Sequence, residues 1–134
     1  MSKLAAFLKP TPEGKKKEVI LERFTDDNGK PVPFVVQSIR SADNEALVEK
    51  SKDRKTGKLR TTEYTNRLIV ACMVEPDLRS TEICDFYGTI DPINVPGLMF
   101  TVGEKQIIQD AILEINDVNS AQDRLDAAKN SLQM

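Results

Sequence analysis

The amino-acid sequence predicts a single α+β domain that is mainly helical, with an N-terminal β-hairpin packed on helices. Two stretches rich in β-branched residues flank an Asn28-Gly29 pair, which is a strong signal for a hairpin turn. Apolar residues then recur at helical spacing after Glu63 and again after Gly103. The length of 134 residues suits one domain of this kind.

The hairpin is predicted from residues 17–24 and 33–39. In the first stretch Val19 and Leu21 alternate with charged residues, although Ile20 interrupts the period of two. The turn between the strands is rich in aspartate, asparagine and glycine. Because a two-stranded ribbon alone is marginally stable, we expect this hairpin to pack on helices.

Two helices are predicted in the middle of the chain. Ser41 suits the N-cap of a helix that ends near Ser51. The next helix begins near Glu63 and is stopped by Pro76. Its buried face is predicted to comprise Tyr64, Leu68, Ala71 and Cys72, broadened by Ile69 and Met73.

Two more helices are predicted in the C-terminal half. Asp77 or Ser80 opens a short helix that ends at Tyr87-Gly88, where glycine suits a C-terminal cap. Residues 91–97 follow as a connection or a pair of short turns. Thr101 and Glu104 then form a capping-box pattern. The helix behind it carries an apolar stripe that should face the core: Ile107, Ile108, Ala111, Ile112 and Ile115.

Both chain ends are predicted to differ from the globular core, which we place at residues 15–116. Residues 1–14 form an amphipathic segment with Leu4, Phe7 and Leu8 at helical spacing, followed by a proline-rich linker. Packing of Phe7 and Leu8 on the core is the expectation here, and contact with a neighbouring subunit is the alternative. Residues 117–134 form a helical or flexible tail whose thin apolar seam includes Leu125 and Leu132.

A basic stretch at residues 50–60 has two interpretations. Its lysines and arginines could contact nucleic acid or an acidic partner. Its glycine and the interleaved Asp53, in a chain of net charge −2, favour an exposed and solvated loop instead.

The composition argues against an enzyme. The chain has no histidine, which removes the commonest general base and the commonest metal ligand. Its only cysteines, Cys72 and Cys84, lie in apolar stretches and are expected to be small buried side chains. The carboxylate pairs, Asp26-Asp27 and Glu82/Asp85, suit a turn and a solvated helix face. We therefore predict no catalytic residues, no cofactor and no metal site.

No apolar run approaches the roughly 18 residues that a membrane span needs. The first ten residues also lack the apolar block of a signal peptide. We therefore expect a cytoplasmic protein with no membrane partner.

The succession of features resembles the XkdN-like phage tail assembly chaperones of contractile-tailed phages and prophages. The segment 4–8 is similar to the opening of that family, and residues 64–78, which end in Glu75-Pro76-Asp77-Leu78, resemble its central block. Residues 87–88, then 95–99, and then Gly103-Glu104 at the start of an isoleucine-striped helix resemble its C-terminal block. No single motif is specific, but the resemblance spans most of the chain.

The resemblance implies a phage tail assembly chaperone that binds the tape measure protein, assists tail tube assembly and is absent from the mature virion. Its implied partners are the tape measure protein and the tail tube protein, with self-association possible and nucleic acid disfavoured. The alternatives are a small virion tail structural protein and a nucleic-acid-binding accessory protein. The predicted partner-binding residues are Leu4, Phe7, Leu8, Leu98, Met99, Phe100, Leu125 and Leu132. For the central three, sealing of the core is the competing interpretation.

Overall fold

A three-stranded antiparallel sheet packs on helices in the computed structural model, which describes residues 3–118. The strands, in spatial order, are β1 (Lys16–Val19), β2 (Phe34–Gln37) and β3 (Met73–Glu75). Lys17 lies opposite Val36 and Val19 lies opposite Phe34, so β1 and β2 form the predicted hairpin. The α+β class with an N-terminal hairpin is thus confirmed.

Five α-helices accompany the sheet in the described part of the chain. They are α1 (Ser41–Lys50), α2 (Thr61–Cys72), α3 (Thr81–Phe86), α4 (Val95–Met99) and α5 (Val102–Ile115). Short 3-10 helices occupy Lys3–Phe7 and Pro92–Asn94. The helix α2 contacts α1, α4, α5 and β3, whereas α5 contacts β1 and β2.

The hairpin connection is longer than the predicted turn. The strand β1 ends at Val19, and a bend after the buried Leu21 turns the chain before Thr25 and Pro31 form an isolated bridge. Gly29 has φ +80°, a left-handed conformation that glycine adopts without strain. The Asp26 carboxylate accepts hydrogen bonds from the backbone N–H groups of Asn28 and Lys30 at 2.8 and 3.0 Å, which closes the turn.

The third strand is a correction to the predicted helix 63–76. The helix α2 ends at Cys72, and the next residues extend along β2, with Met73 opposite Val36. Met73 is therefore buried in the sheet and not on the helix. Met73 continues the apolar period of the helix, yet it forms part of a strand. Without that strand, buried backbone groups along β2 would have no hydrogen-bond partners.

Three further details differ from the predictions. Ser41 is the first residue of α1, and Arg40 is its N-cap. Ala71 is exposed on α2. In α5 the buried residues are Ile108, Ala111 and Ile112, whereas Ile107 is 49% exposed. Successive residues of an α-helix are rotated by 100°, so Ile107 and Ile108 face different directions. The predicted stripe is therefore too broad for all of its residues to face the core.

The core lies where the sheet meets α2, α4 and α5. Its largest fully buried side chains include Ile69, Met73, Leu78, Ile108, Ile112, Val36 and Val95. Phe24, Phe34 and Phe100 pack edge to face, with ring centroids 5.0 to 5.9 Å apart. This aromatic cluster joins the hairpin to the connection between α4 and α5.

Arg23 links the hairpin to the same connection from the outside. Its Nε and Nη2 atoms donate to the two Glu104 carboxylate oxygens at 3.0 and 2.7 Å. The Nη2 group also donates to the Met99 carbonyl at 2.6 Å. The two-pronged pairing fixes both side chains, because a guanidinium matches a carboxylate in one plane.

Glu104 serves a second purpose as a member of the predicted capping box, which is confirmed. The backbone N–H of Thr101 donates to Glu104 at 2.9 Å, and the backbone N–H of Glu104 donates to the Thr101 hydroxyl at 3.1 Å. The hydrogen bond from Arg23, with a smaller contribution from the Thr101 N–H, lowers the pKa of the Glu104 carboxyl below its ordinary value.

Within residues 3–118, none of the helices combines the length and the apolar character that crossing a bilayer would demand.

We predict that Ile108→Asp abolishes the cooperative thermal unfolding transition, because Ile108 is fully buried and an unpaired charge there has no partner. The matched control is Ile107→Asp, one residue earlier and half exposed, for which we expect a loss of about 1 kcal/mol or less. Circular dichroism on heating measures both. A normal transition in Ile108→Asp would contradict the core assignment.

We predict that Glu104→Gln lowers the free energy of unfolding at neutral pH by roughly 1 to 3 kcal/mol, through loss of the charged capping and pairing contacts. Because the folded-state pKa is lowered, this contribution is present above the unfolded pKa and is lost as pH falls through the folded pKa. The difference between wild type and variant should therefore shrink as the pH falls below about 4.3, the ordinary pKa of a glutamate side chain.

Urea denaturation at several pH values measures that difference. Glu114→Gln is the control, since Glu114 pairs with Lys17 on the surface and should contribute less than about 1 kcal/mol. Equal and pH-independent effects of the two variants would contradict the role of Glu104.

Candidate protein-interaction surface

The N-terminal segment presents large apolar side chains to solvent. Residues Lys3–Phe7 form a single stretch of 3-10 helix with no buried residue, and Phe7 and Leu8 are 78% and 70% exposed. Leu4 is also largely exposed. Packing of Phe7 and Leu8 on the core is therefore a wrong expectation. A segment this short before Pro10 and Pro12 cannot maintain an α-helix by itself.

The structure separates the three central candidates, Leu98, Met99 and Phe100. Met99 and Phe100 are buried, so core sealing is the correct interpretation for both. Leu98 lies on α4 and is 53% exposed. The Met99 carbonyl next to it accepts the Arg23 hydrogen bond, so the end of α4 that carries Leu98 is held in place. Leu125 and Leu132 lie outside the described residues and stay predictions.

The three most exposed large apolar residues of the described chain are not among the predicted surface residues: Phe86, Ile90 and Val102. The sequence predicts Phe86 only as part of a short helix, but its side chain is exposed. Ile90 lies in the loop after that helix and is fully exposed. Val102 opens α5 off the buried stripe. The composition of residues 80–104 is one signal that could have drawn attention to this surface, because they contain four carboxylates and no lysine or arginine. We call residues 80–104 the acidic segment.

The basic stretch 50–60, which we call the basic loop, is exposed as predicted but tightly built. The Asp53 carboxylate accepts hydrogen bonds from the N–H groups of Lys55 and Thr56 at 2.8 and 3.2 Å, and from Arg60 Nη2 at 3.0 Å. These contacts, with that of Arg60 the largest, lower the pKa of the Asp53 carboxyl. Gly57 closes the turn with φ +72°.

The two cysteines are free and buried, as the apolar surroundings predicted. Burial raises the pKa of the Cys72 thiol to about 12, so the reactive thiolate is scarce at neutral pH. Cys84 donates to the Leu78 carbonyl at 3.6 Å. Both cysteines act as core side chains, and the exposed apolar and charged surfaces are the features available for binding other proteins.

The comparisons with known proteins agree along most of the chain. Residues 4–129 match the family described as phage XkdN-like tail assembly chaperone protein. The XkdN protein of the phage-like element PBSX from Bacillus subtilis (strain 168) is 28% identical over 94 residues, which cover 63% of this chain. The match spans 62% of XkdN, which is less than two thirds of its length.

A second relative matches over a longer stretch. The uncharacterized protein YqbN of the same organism is 29% identical over 130 residues, covering 90% of this chain and 87% of YqbN. A crystal structure of YqbN is similar with a TM-score of 0.71 and 26% identity, covering 89% of this chain and 99% of that chain. Because the family match extends over nearly the whole sequence, this chain belongs to the XkdN-like phage tail assembly chaperone family.

Proposed function

We propose that this chaperone binds the tape measure protein in the host cytosol, assists the assembly of the tail tube around it, and is left out of the finished virion. Family membership supports a role in tail assembly. The observation that carries the finer proposal is the exposure of Phe7 and Leu8 on a segment with no buried residue.

Exposed apolar side chains of this kind suit a long, helical and aggregation-prone partner. A partner of that type presents many similar apolar stripes, and a chaperone needs repeated weak contacts with them and not one deep pocket. Burial of one large apolar side chain contributes about 1.5 to 3 kcal/mol before the cost of association. Contacts of this strength release readily, as displacement by tube subunits requires.

The chain ends, 1–14 and 117–134, are proposed to supply most of these contacts, with residues 15–116 as the folded core. Leu98 adds a contact on the core itself. Its position beside the Arg23–Met99 hydrogen bond means that little conformational freedom is lost when a partner covers it. Leu4, Leu125 and Leu132 belong to the same proposal.

We predict that the double variant Phe7→Ser/Leu8→Ser reduces capture of the co-expressed tape measure protein at least tenfold, and that Leu98→Ser reduces it less. A pull-down from cells that express both proteins measures the effect. Since these side chains are exposed, the variants should keep the wild-type melting transition.

The control for this experiment is Val32→Ser, an exposed apolar residue in the hairpin connection. It should leave capture unchanged. Leu125→Ser/Leu132→Ser tests the other end of the chain in the same assay. Normal capture by all of the Phe7, Leu8, Leu98, Leu125 and Leu132 variants would refute the proposed surface.

We further predict that purified mature particles contain no copies of this chain, whereas immature tail intermediates from the same lysate contain it. Quantitative mass spectrometry against the tail tube protein as internal standard measures both fractions. A fixed ratio of this chain to tube protein in mature particles would identify a structural tail component instead.

A further inference from the structure

Positive charge is concentrated around one surface cavity of the basic loop. The cavity has a volume of about 500 Å³ and is lined by the loop and by the first two turns of α2. Its charged lining comprises six of the 19 lysines and arginines of the chain and two carboxylates: Lys50, Lys52, Arg54, Lys55, Arg60 and Arg67, with Asp53 and Glu63. The whole chain has a net charge of −2, so its composition does not account for this concentration of cations.

Both carboxylates of the cavity are already bound by arginines. The Asp53 carboxylate accepts a hydrogen bond from Arg60 Nη2 at 3.0 Å. The Glu63 carboxylate accepts one from Arg67 Nη2, also at 3.0 Å. Neither carboxylate is therefore free to neutralise the remaining cations of the cavity.

Three of those cations have no counterion in the described chain. Lys50, Arg54 and Lys55 are exposed, and none of them forms an ion pair within residues 3–118. Lys52, by contrast, pairs with Glu49 at 2.8 Å. Like charges gathered around one cavity repel one another, so an anion that enters it interacts favourably with several cations at once.

Arg67 adds a partly buried donor to the wall of the cavity. Its side chain is only 22% exposed, and its Nε atom is buried without a hydrogen-bond partner among the described residues. Buried donors of this kind nearly always have a partner. A carboxylate in the cavity would supply the missing acceptor when the guanidinium turns towards it, and the planar guanidinium matches the two oxygens of a carboxylate.

The basic loop is ordered before any ligand binds. The Asp53 N–H donates to the Lys58 carbonyl, and the Gly57 N–H donates to the Asp53 carbonyl, each at 2.8 Å. The Arg60 N–H donates to the Ser51 carbonyl at 2.8 Å, which closes the base of the loop. Little conformational freedom of the backbone is therefore lost when a ligand contacts the cations that the loop carries.

We propose that this cavity binds an acidic segment of another protein, whose carboxylates contact Arg54, Lys55 and Arg67. The cations come from the end of α1, from the loop and from α2, so a chain of several carboxylates reaches more of them than one small anion does. The exposed apolar residues of the proposed function do not line this cavity, and the present proposal does not rest on that function.

Nucleic acid fits the cavity less well than an acidic protein segment does. Carboxylates on flexible side-chain stems can enter a cavity, whereas the phosphates of a duplex are held on a stiff helical backbone. The residues that line the cavity include no aromatic side chain on which an unpaired base could stack. The net charge of −2 also disfavours the long-range attraction that nucleic-acid-binding proteins use.

The test measures the binding of a fluorescently labelled oligo-glutamate peptide to the full chain by fluorescence anisotropy. We predict that the wild-type protein binds this peptide saturably and that its affinity falls with added salt. The variant Arg54→Ser/Lys55→Ser should bind about tenfold more weakly, because it removes two cations that have no counterion in the described chain.

A charge-preserving variant separates a built site from diffuse attraction. Arg67→Lys keeps the positive charge but loses the planar guanidinium, so we expect about threefold weaker peptide binding. Circular dichroism verifies the fold of each variant. Arg54→Lys makes the same comparison at an exposed position if Arg67→Lys fails to fold. Unchanged affinity in the folded charge-preserving variants would contradict the proposal.

The matched control is Lys30→Ser/Lys58→Ser, which removes the same charge at two exposed positions. Lys58 belongs to the basic loop but does not line the cavity, and Lys30 lies in the hairpin connection. This variant should bind the peptide within about twofold of wild type, because only the weak long-range attraction changes.

Three further outcomes would overturn the proposal. One is a wild-type protein that shows no saturable binding up to about 1 mM peptide. Another is an equal loss of affinity in the control and in Arg54→Ser/Lys55→Ser. The third is a wild-type protein that binds a labelled duplex DNA more tightly than the peptide at the same salt concentration, and whose Arg54→Ser/Lys55→Ser variant loses only the DNA. That result would assign the loop to nucleic acid.

Discussion

Burial of one face of α2 is the constraint on which the rest of the fold depends. Leu68, Ile69 and Cys72 are buried on that face, and α2 contacts α1, α4, α5 and β3. A fully buried isoleucine contributes about 1.5 to 3 kcal/mol, and a domain of this size is stable by only about 5 to 15 kcal/mol. The sheet has three short strands and would be marginal alone. The sheet is stabilised because α5 packs on β1 and β2 and also on α2.

Most of the helices could be predicted from the sequence because their signals are local. The Thr101–Glu104 capping box and the positive φ of Gly88 after α3 depend on residues within one or two turns. The strand β3 could not be predicted, because Met73 continues the apolar period of α2. Its conformation is decided by hydrogen bonds to Val36, a residue nearly forty positions earlier. Pairing over such a distance leaves no mark on local periodicity.

The candidate surface was less predictable than the fold, because exposure depends on which way a side chain faces within an apolar run. Leu98, Met99 and Phe100 are consecutive and similar in hydropathy, yet only Leu98 is exposed. The difference comes from the Phe24–Phe34–Phe100 cluster and from Arg23, which anchor this run at points far away in sequence. For Phe7, the expectation of packing on the core is wrong for a different reason. Its spacing suits packing on the core, but no buried site receives it.

Two carboxylate–arginine pairs fix parts of the surface in place. Glu104 with Arg23 fixes the end of α4 that carries Leu98, and Asp53 with Arg60 fixes the basic loop. On the proposed function, a partner that covers Leu98 therefore spends little free energy on ordering it. Such a contact still involves few side chains, so a partner held by one contact would be released readily. Several such contacts along a long partner would add avidity without any tighter single contact, since linkage raises the effective concentration of each neighbouring site.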